Sequence, residues 1–401
     1  MNRRNFLMMT VSAIGFAATG LDAQAAEPFK VGITVSNSGN FMLASQSGER
    51  GVRMWVDDVN RRGGIELGGE KRPVELVVLD DRSDKTMVPR VYETLISGNN
   101  VDVLMAPFGS TLTGVAATVA ERNNKFLMSW SASADEIYQQ GYKNIVSAVV
   151  PSSLIPSTNL RLLKDAGVKK IAIIHVDESF PAGLAAAAVK DAKEMGFEVV
   201  MDETYQKGTK DFSVLLQKAK ALGAEAFYPH SYEVDSVLMA RQMQELDIHF
   251  DNVYFMYGST PQFLELGKLA EFVTSHTQYS PNAKWNITDG LKNEEFVTRY
   301  KELFPKVSYS EDFQTVLAYG AAVALERLVS EAQSTDPAAL KQKALEMGGK
   351  ITTISGKFAI DETGKQIGME PIVLQNQPGK GLVPVAPAEV ATEKLIYPVP
   401  Q

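Results

Sequence analysis

Val101-Asp102-Val103-Leu104-Met105-Ala106-Pro107-Phe108-Gly109-Ser110-Thr111-Leu112-Thr113-Gly114 opens the stretch, running on to Ala134, whose reading decides the fold. Its first half is an apolar run short enough for a buried strand, stopped by Pro107 and Gly109. From Val115 to Asn124 apolar residues return at helical spacing, so the Gly109–Gly114 turn is a helix start with hydroxyls beside unpaired backbone N–H groups, where anions settle. The pattern then repeats: Phe126-Leu127-Met128-Ser129-Trp130 reads as a second strand. Ser131-Ala132-Ser133-Ala134-Asp135-Glu136 reads as a second hydroxyl-rich helix start. In an open α/β sheet such turns lie at the carboxyl ends of strands, where ligands bind.

Working outward, strands alternate with amphipathic helices on both sides. Phe29 to Val35 is a strand leading into the polar turn Ser36 to Phe41. A helix follows, carrying Val52, Trp55, Val56 and Val59 on one face, and Val74 to Leu79 is the next strand. Near Val149 to Pro156 the pattern breaks as a crossing would, and the alternation restarts from Lys170 to Tyr257. The order implies two doubly wound, Rossmann-like α/β lobes with parallel sheets, joined by several crossings that form a hinge. Lobe 1 is expected to hold residues 27–149 and 278–350, with helices at Asn293 to Phe304, Asp312 to Glu331 and Pro337 to Glu346. Lobe 2 is expected to hold residues 150–277 and 351–401.

Residues 1–26 carry Arg3 and Arg4, an apolar core from Phe6 to Gly20 and Ala23-Gln24-Ala25, which together read as a cleavable secretory signal. Arg3-Arg4-Asn5-Phe6-Leu7 matches the twin-arginine pattern in part, Asn2 and Met8 departing from it, so twin-arginine and Sec export both stay open. The expected location is the periplasm. The 401-residue chain has no cysteine, which excludes disulfides, thiolate metal sites, a cysteine nucleophile and a lipidated cysteine. A net charge of −8 without a basic cluster argues against nucleic acid and anionic lipid as partners.

Phosphate loops, Gly-x-Gly-x-x-Gly after the first strand and the Gly-x-Ser-x-Gly elbow are all missing, so no catalytic residue and no cofactor is assigned, and the chain reads as a binding protein rather than an enzyme. His175, His230, His249 and His276 lack zinc spacing, and Asp80, Asp81 and Asp84 lack that of a calcium loop, reading instead as a solvated loop. His230 is a candidate to face a ligand because it lies beside Tyr232. Phe41, Phe108, Trp130, Phe180, Tyr232 and Tyr257 all sit at or just beyond strand ends, which suits a cleft lining for a flat or apolar ligand.

The succession Lys30-Val31-Gly32-Ile33, Ser38-Gly39, Asn60-Arg61-Arg62-Gly63-Gly64-Ile65, Asp80-Asp81, Gly109-Ser110-Thr111, Asp211-Phe212-Ser213 and Phe255-Met256 resembles the leucine/isoleucine/valine-binding family of periplasmic solute receptors. The resemblance spans nearly the whole chain after residue 26. It implies a type I periplasmic-binding fold with a three-crossover hinge that closes on a small-molecule ligand, an amino acid or organic acid, and delivers it to the membrane subunits of an ABC permease; the chain is expected to act as a monomer. It places the ligand carboxylate at Ser110 or Thr111 and further contacts on Ser131, Ala132, Ser133 and Ala134. Closing aromatics fall at Phe180 and Tyr232, and the wall of the first lobe falls near Phe41. Where amino-acid-binding members carry acids for the α-ammonium, this chain has Ser152-Ser153 and Tyr257-Gly258-Ser259, leaving Glu233, Asp177 or Glu178 to supply the charge. Beside a branched-chain amino acid, an aromatic carboxylate or amide stays open as ligand, and a sensory subunit as role.

Overall fold

The computed structural model describes residues 27–281, 286–307, 312–388 and 390–400; the signal at residues 1–26 lies outside the described residues. The chain runs through β1 (Phe29–Val35), α1 (Met42–Arg61), the hairpin of β2 (Ile65–Leu67) and β3 (Glu70–Arg72), and β4 (Val74–Asp80). α2 (Val88–Glu93), β5 (Val103–Met105), α3 (Ser110–Arg122), β6 (Leu127–Ser129), α4 (Asp135–Tyr138) and β7 (Ile145–Ser147) follow. These strands form a parallel sheet in the order β4-β1-β5-β6-β7. The run Val103–Met105 is buried on both faces, which is why it reads as continuous apolar sequence rather than an alternation.

After a first crossing at 148–151 come α5 (Ile155–Asp165), β8 (Lys170–Val176), α6 (Ser179–Met195), β9 (Glu198–Tyr205), α7 (Ser213–Ala221), β10 (Ala226–His230), α8 (Glu233–Glu245), β11 (Asn252–Val253) and α9 (Pro261–Leu264). Their strands make a second parallel sheet, β11-β10-β8-β9. A bridge from Tyr254 to Thr274 connects it to β12 (Thr274–Thr277). The chain then returns to the first half as α10 (Asn293–Leu303), α11 (Phe313–Ala332) and α12 (Pro337–Glu346), with α11 lying along α1. Gly51 is the reason the two helices approach so closely: a Cβ there would stand 2.1 Å from the carbonyl oxygen of Thr315.

The expected division at residue 351 shifts. β13 (Ile351–Thr353) and β14 (Gly356–Phe358) pair with each other, β13 packs on α11, and the Ser147 N–H donates to the Gly364 carbonyl at 2.8 Å, so 351–368 stays with the first half. Only with β15 (Ile372–Gln377) and β16 (Gly381–Ala386) does the chain join the second sheet, through antiparallel β12-β15-β16. Strand-like residues alone do not reveal which partner edge they take, because pairing is decided by distant chain.

Three crossings, near 148–151, 278–281 and 368–371, therefore join the halves, and side chains couple them. Gln278 Oε1 accepts from Val150 N at 3.0 Å, linking the first crossing to the second. Asp135 accepts from the Ser153 N–H and hydroxyl, both at 2.9 Å, and meets Lys365 Nζ at 3.2 Å, linking the first crossing to the approach of the third.

Candidate functional site

The carboxyl ends of both sheets face one gap, and the turns that end their strands line it. At the first sheet, Gly109 takes φ +84°, a conformation that favours glycine, and turns β5 into α3. Two of the predicted site hydroxyls stitch the neighbouring turns together. Ser131 Oγ accepts from Gly109 N at 3.0 Å and donates to the Pro107 carbonyl at 3.3 Å, while Ser110 Oγ accepts from Ala134 N at 3.1 Å. Ser131 to Ala134 is not a helix start of substance, since α4 begins only at Asp135 and runs four residues. Its turn is held by tertiary contacts instead, Ser133 passing its carbonyl to Ser152 N.

Thr111 is different. Its Oγ1 is buried and has no hydrogen-bond partner among the described residues. The first N–H to bond back within α3 is that of Thr113, to Gly109 at 3.0 Å, so the donors before it and the positive end of a 13-residue helix lie beside the Thr111 hydroxyl. That arrangement can hold a carboxylate.

The predicted aromatics converge. Phe41, Phe108 and Trp130 from the first half meet Phe180, Tyr232 and Tyr257 from the second, and all are buried. Tyr232 is the hub: its ring lies 4.9 Å from Phe41, 6.4 Å from Phe108, 6.3 Å from Phe180 and 6.0 Å from Tyr257. Its hydroxyl also lacks a partner among the described residues and lies 3.8 Å from where a Cβ on Gly109 would be, over the start of α3. Burial pushes this phenol well above its ordinary pKa, so it stays a donor.

These rings divide the gap. An outer pocket of about 580 Å³ contains Phe41, Thr111, Asp177, Glu178 and Lys207. A narrow cavity of about 20 Å³ is lined by Phe108, whose ring meets Phe41 at 5.7 Å, and by Trp130, Ser131, Ser133, Phe180 and Tyr257, with Phe313, Gln314, His276 and Gln278. Sequence reasoning missed those last four. Asp312 is the usable signal: it caps α11 by accepting from Thr315 N at 2.8 Å, and so puts Phe313 and Gln314 in the first turn.

Two predicted surroundings are corrected. His230 does not line the cavity; it is buried between Tyr228 and Tyr254, each ring centroid 6.0 Å away. Nor is the Asp80–Asp84 loop simply solvated. Asp81 is fully buried and accepts from Thr34 Oγ1 at 2.6 Å, Ser36 Oγ and the Ser83 N–H at 3.0 Å. Ser83 Oγ in turn accepts from Phe41 N at 3.1 Å, so this carboxylate fixes the turn that carries Phe41.

Among the acids left open for an ammonium, Glu178 pairs with Lys207 at 2.6 Å, and Lys207 sits 5.1 Å over the Phe41 ring across the gap. Glu233, at the start of α8, is buried against the Thr260 hydroxyl, and burial raises its carboxyl to about 7. No group of three or more His, Cys, Asp or Glu side chains among the described residues is placed to hold a metal ion.

Two parallel α/β sheets with their carboxyl ends turned toward a shared, crossover-hinged gap define a bilobed solute receptor. The family model described as periplasmic binding protein matches residues 28–379, and the Leu/Ile/Val-binding protein homolog 7 of Brucella abortus (strain 2308) is 27% identical over 412 residues, covering 98% of this chain and 99% of that protein. Similar structures include the leucine-binding protein LivK of Thermotoga maritima, with TM-score 0.78 and 22% identity over 89% of this chain and 97% of that one. A solute-binding protein of an ABC transporter from R. palustris in complex with benzoate gives TM-score 0.75 and 19% identity over 92% and 99%. These two likenesses bear on the fold alone. The chain belongs to the leucine/isoleucine/valine-binding family of periplasmic binding proteins.

Proposed function

We propose that this protein captures a small, flat, largely apolar carboxylate, of the aromatic-acid class, between its lobes in the periplasm and presents it to an ABC permease. The observation that carries this reading is the continuous set of rings from both halves around Tyr232. Such a lining gains most from a ligand with two apolar faces. The carboxylate falls to the start of α3, where the Thr111 and Tyr232 hydroxyls have no hydrogen-bond partner among the described residues. In this conformation the rings of the two halves touch each other, so the ligand takes the place of Tyr232–Phe41 and Tyr232–Phe108 contacts. Each such pair is worth about 0.5–1.5 kcal/mol beyond its buried area, a modest term that a bridging ring replaces on both its faces. Closure is then a population shift, because only the closed form touches the ligand from both sides.

A second reading, an α-amino acid, draws on the outer pocket, where Glu178 Oε2 is buried without a partner among the described residues and Asp177 lies beside it. Thermal unfolding of the full chain with benzoate, leucine, isoleucine and valine separates the two. A ligand at a hundred times its Kd adds about 2.7 kcal/mol to stability. The aromatic reading expects a shift with benzoate and none with the three amino acids, and the reverse pattern sinks it. Thr111→Val is expected to weaken benzoate binding roughly tenfold to a hundredfold in calorimetry, the loss of one charge-assisted hydrogen bond. Unchanged affinity would remove the start of α3 from the site.

A further inference from the structure

The inner cavity has a polar wall that carboxylate binding does not use. Gln314 is 2% exposed in the first turn of α11, lines the cavity, and its Oε1 has no hydrogen-bond partner among the described residues. An amide so buried gains strongly from any group that pairs with it, since a buried acceptor without a partner keeps the whole cost of leaving water. Gln278, on the same wall, is committed to the first crossing through Val150 N. His276 completes the wall, its Nδ1 3.4 Å from the Tyr254 hydroxyl and its ring 6.3 Å from that of Phe313.

We propose that Gln314, with His276 beside it, reads a hydrogen-bond-donating substituent on the ligand ring at the side away from the carboxylate, making the cleft selective for ring-hydroxylated aromatic carboxylates over unsubstituted ones. The inference rests on the aromatic-carboxylate reading above. Its geometry is the division of the gap: Thr111 and Phe41 line the outer pocket, Gln314 and Phe108 line the inner cavity, and the Phe41 and Phe108 rings meet at 5.7 Å. A ring seated against Phe108, Phe180 and Tyr257 with its carboxylate at α3 points its far edge toward the α11 turn. The cavity's 20 Å³ suits one hydroxyl-sized group, roughly the room one water needs. A neutral amide and a neutral imidazole each offer both acceptor and donor, so a phenol O–H is paired whichever group it meets.

Calorimetry on the full chain with benzoate, 4-hydroxybenzoate and 4-methoxybenzoate tests this. The expected order is 4-hydroxybenzoate about tenfold tighter than benzoate, the equivalent of one well-made buried hydrogen bond, with the methoxy compound weaker than both. In Gln314→Leu the ratio of 4-hydroxybenzoate to benzoate affinity should fall to roughly twofold. The near-isosteric Gln314→Met repeats the test should the leucine variant fold poorly. Equal binding of benzoate and 4-hydroxybenzoate by the natural protein, or a preference that survives in both variants, overturns the role of Gln314 and leaves the aromatic-acid reading standing. No binding of any of the three overturns both.

Discussion

Acidification from pH 7 to pH 4.5 is expected to remove about 2–3 kcal/mol of folding stability, as the difference between two larger opposing effects. Burial, assisted by the neighbouring histidines for His230, pushes the His230 and His276 imidazoles down to about 3. A histidine whose folded pKa lies below its unfolded value of 6.5 costs nothing above 6.5. It loses stability steadily as pH falls from 6.5 to 3, because only the unfolded chain takes up the proton. By pH 4.5 each contributes a loss of about 2–3 kcal/mol, together roughly 5. Glu233 works the other way. With its carboxyl raised to about 7 by burial, it stabilises most below its unfolded value of 4.5 and loses that contribution as pH rises to 7, so acidification returns about 2–3 kcal/mol. Urea unfolding at both pH values checks the balance. His230→Phe should roughly halve the imidazole loss, and Glu233→Gln should steepen the acid dependence of the protein to about 5 kcal/mol. A His230→Phe protein with the same pH dependence as its parent would refute the assignment.

Gly51→Ala is expected to destabilise the fold and disturb the cleft together. In an exposed helix interior this exchange would gain about 1 kcal/mol, since glycine is the poorer helix former. Here the added Cβ meets the Thr315 carbonyl oxygen at 2.1 Å and Tyr319 N at 2.9 Å, backbone atoms that cannot rotate aside. Forcing α1 and α11 apart costs at the upper end of the about 1–3 kcal/mol seen for overpacked cores, which exceeds the propensity gain. The helices are also fastened polar to polar. Thr315 Oγ1 donates to the Ser47 carbonyl at 3.0 Å, Ser47 Oγ donates to Asp312 at 2.6 Å, and Arg50 lies 3.9 Å from the same carboxylate. Because that junction sets the first turn of α11, the strain reaches Phe313 and Gln314. The melting temperature should fall by several degrees, and ligand binding should weaken although residue 51 touches no ligand. A melting temperature at or above that of the parent would show that propensity outweighs the close approach.

How far the sequence could be read follows the range of the forces involved. Strand-helix alternation, the polar turns at strand ends and the aromatic residues beside them are local or periodic signals. They define two parallel α/β lobes and put Phe41, Phe180, Tyr232 and Tyr257 at or just beyond strand ends, and the fold brings these four rings to one gap. The hydroxyl turns show where local reading stops. Ser110, Ser131 and Thr111 look equivalent in sequence, yet the two serines spend their hydroxyls joining the turn after β5 to the turn after β6, whereas that of Thr111 has no partner among the described residues.

The amino-acid sequence by itself determined the two sheets, their parallel sense and the aromatic character of the gap, because periodic burial and turn chemistry act within about ten residues. Tertiary structure alone decided that 351–368 stays with the first half, that Asp81 is buried beneath the Phe41 turn, and that α11 places Gln314 in the cavity wall. Each of these depends on a partner more than forty residues away, and hydrogen-bonding capacity carries no address in sequence until packing brings donor and acceptor together.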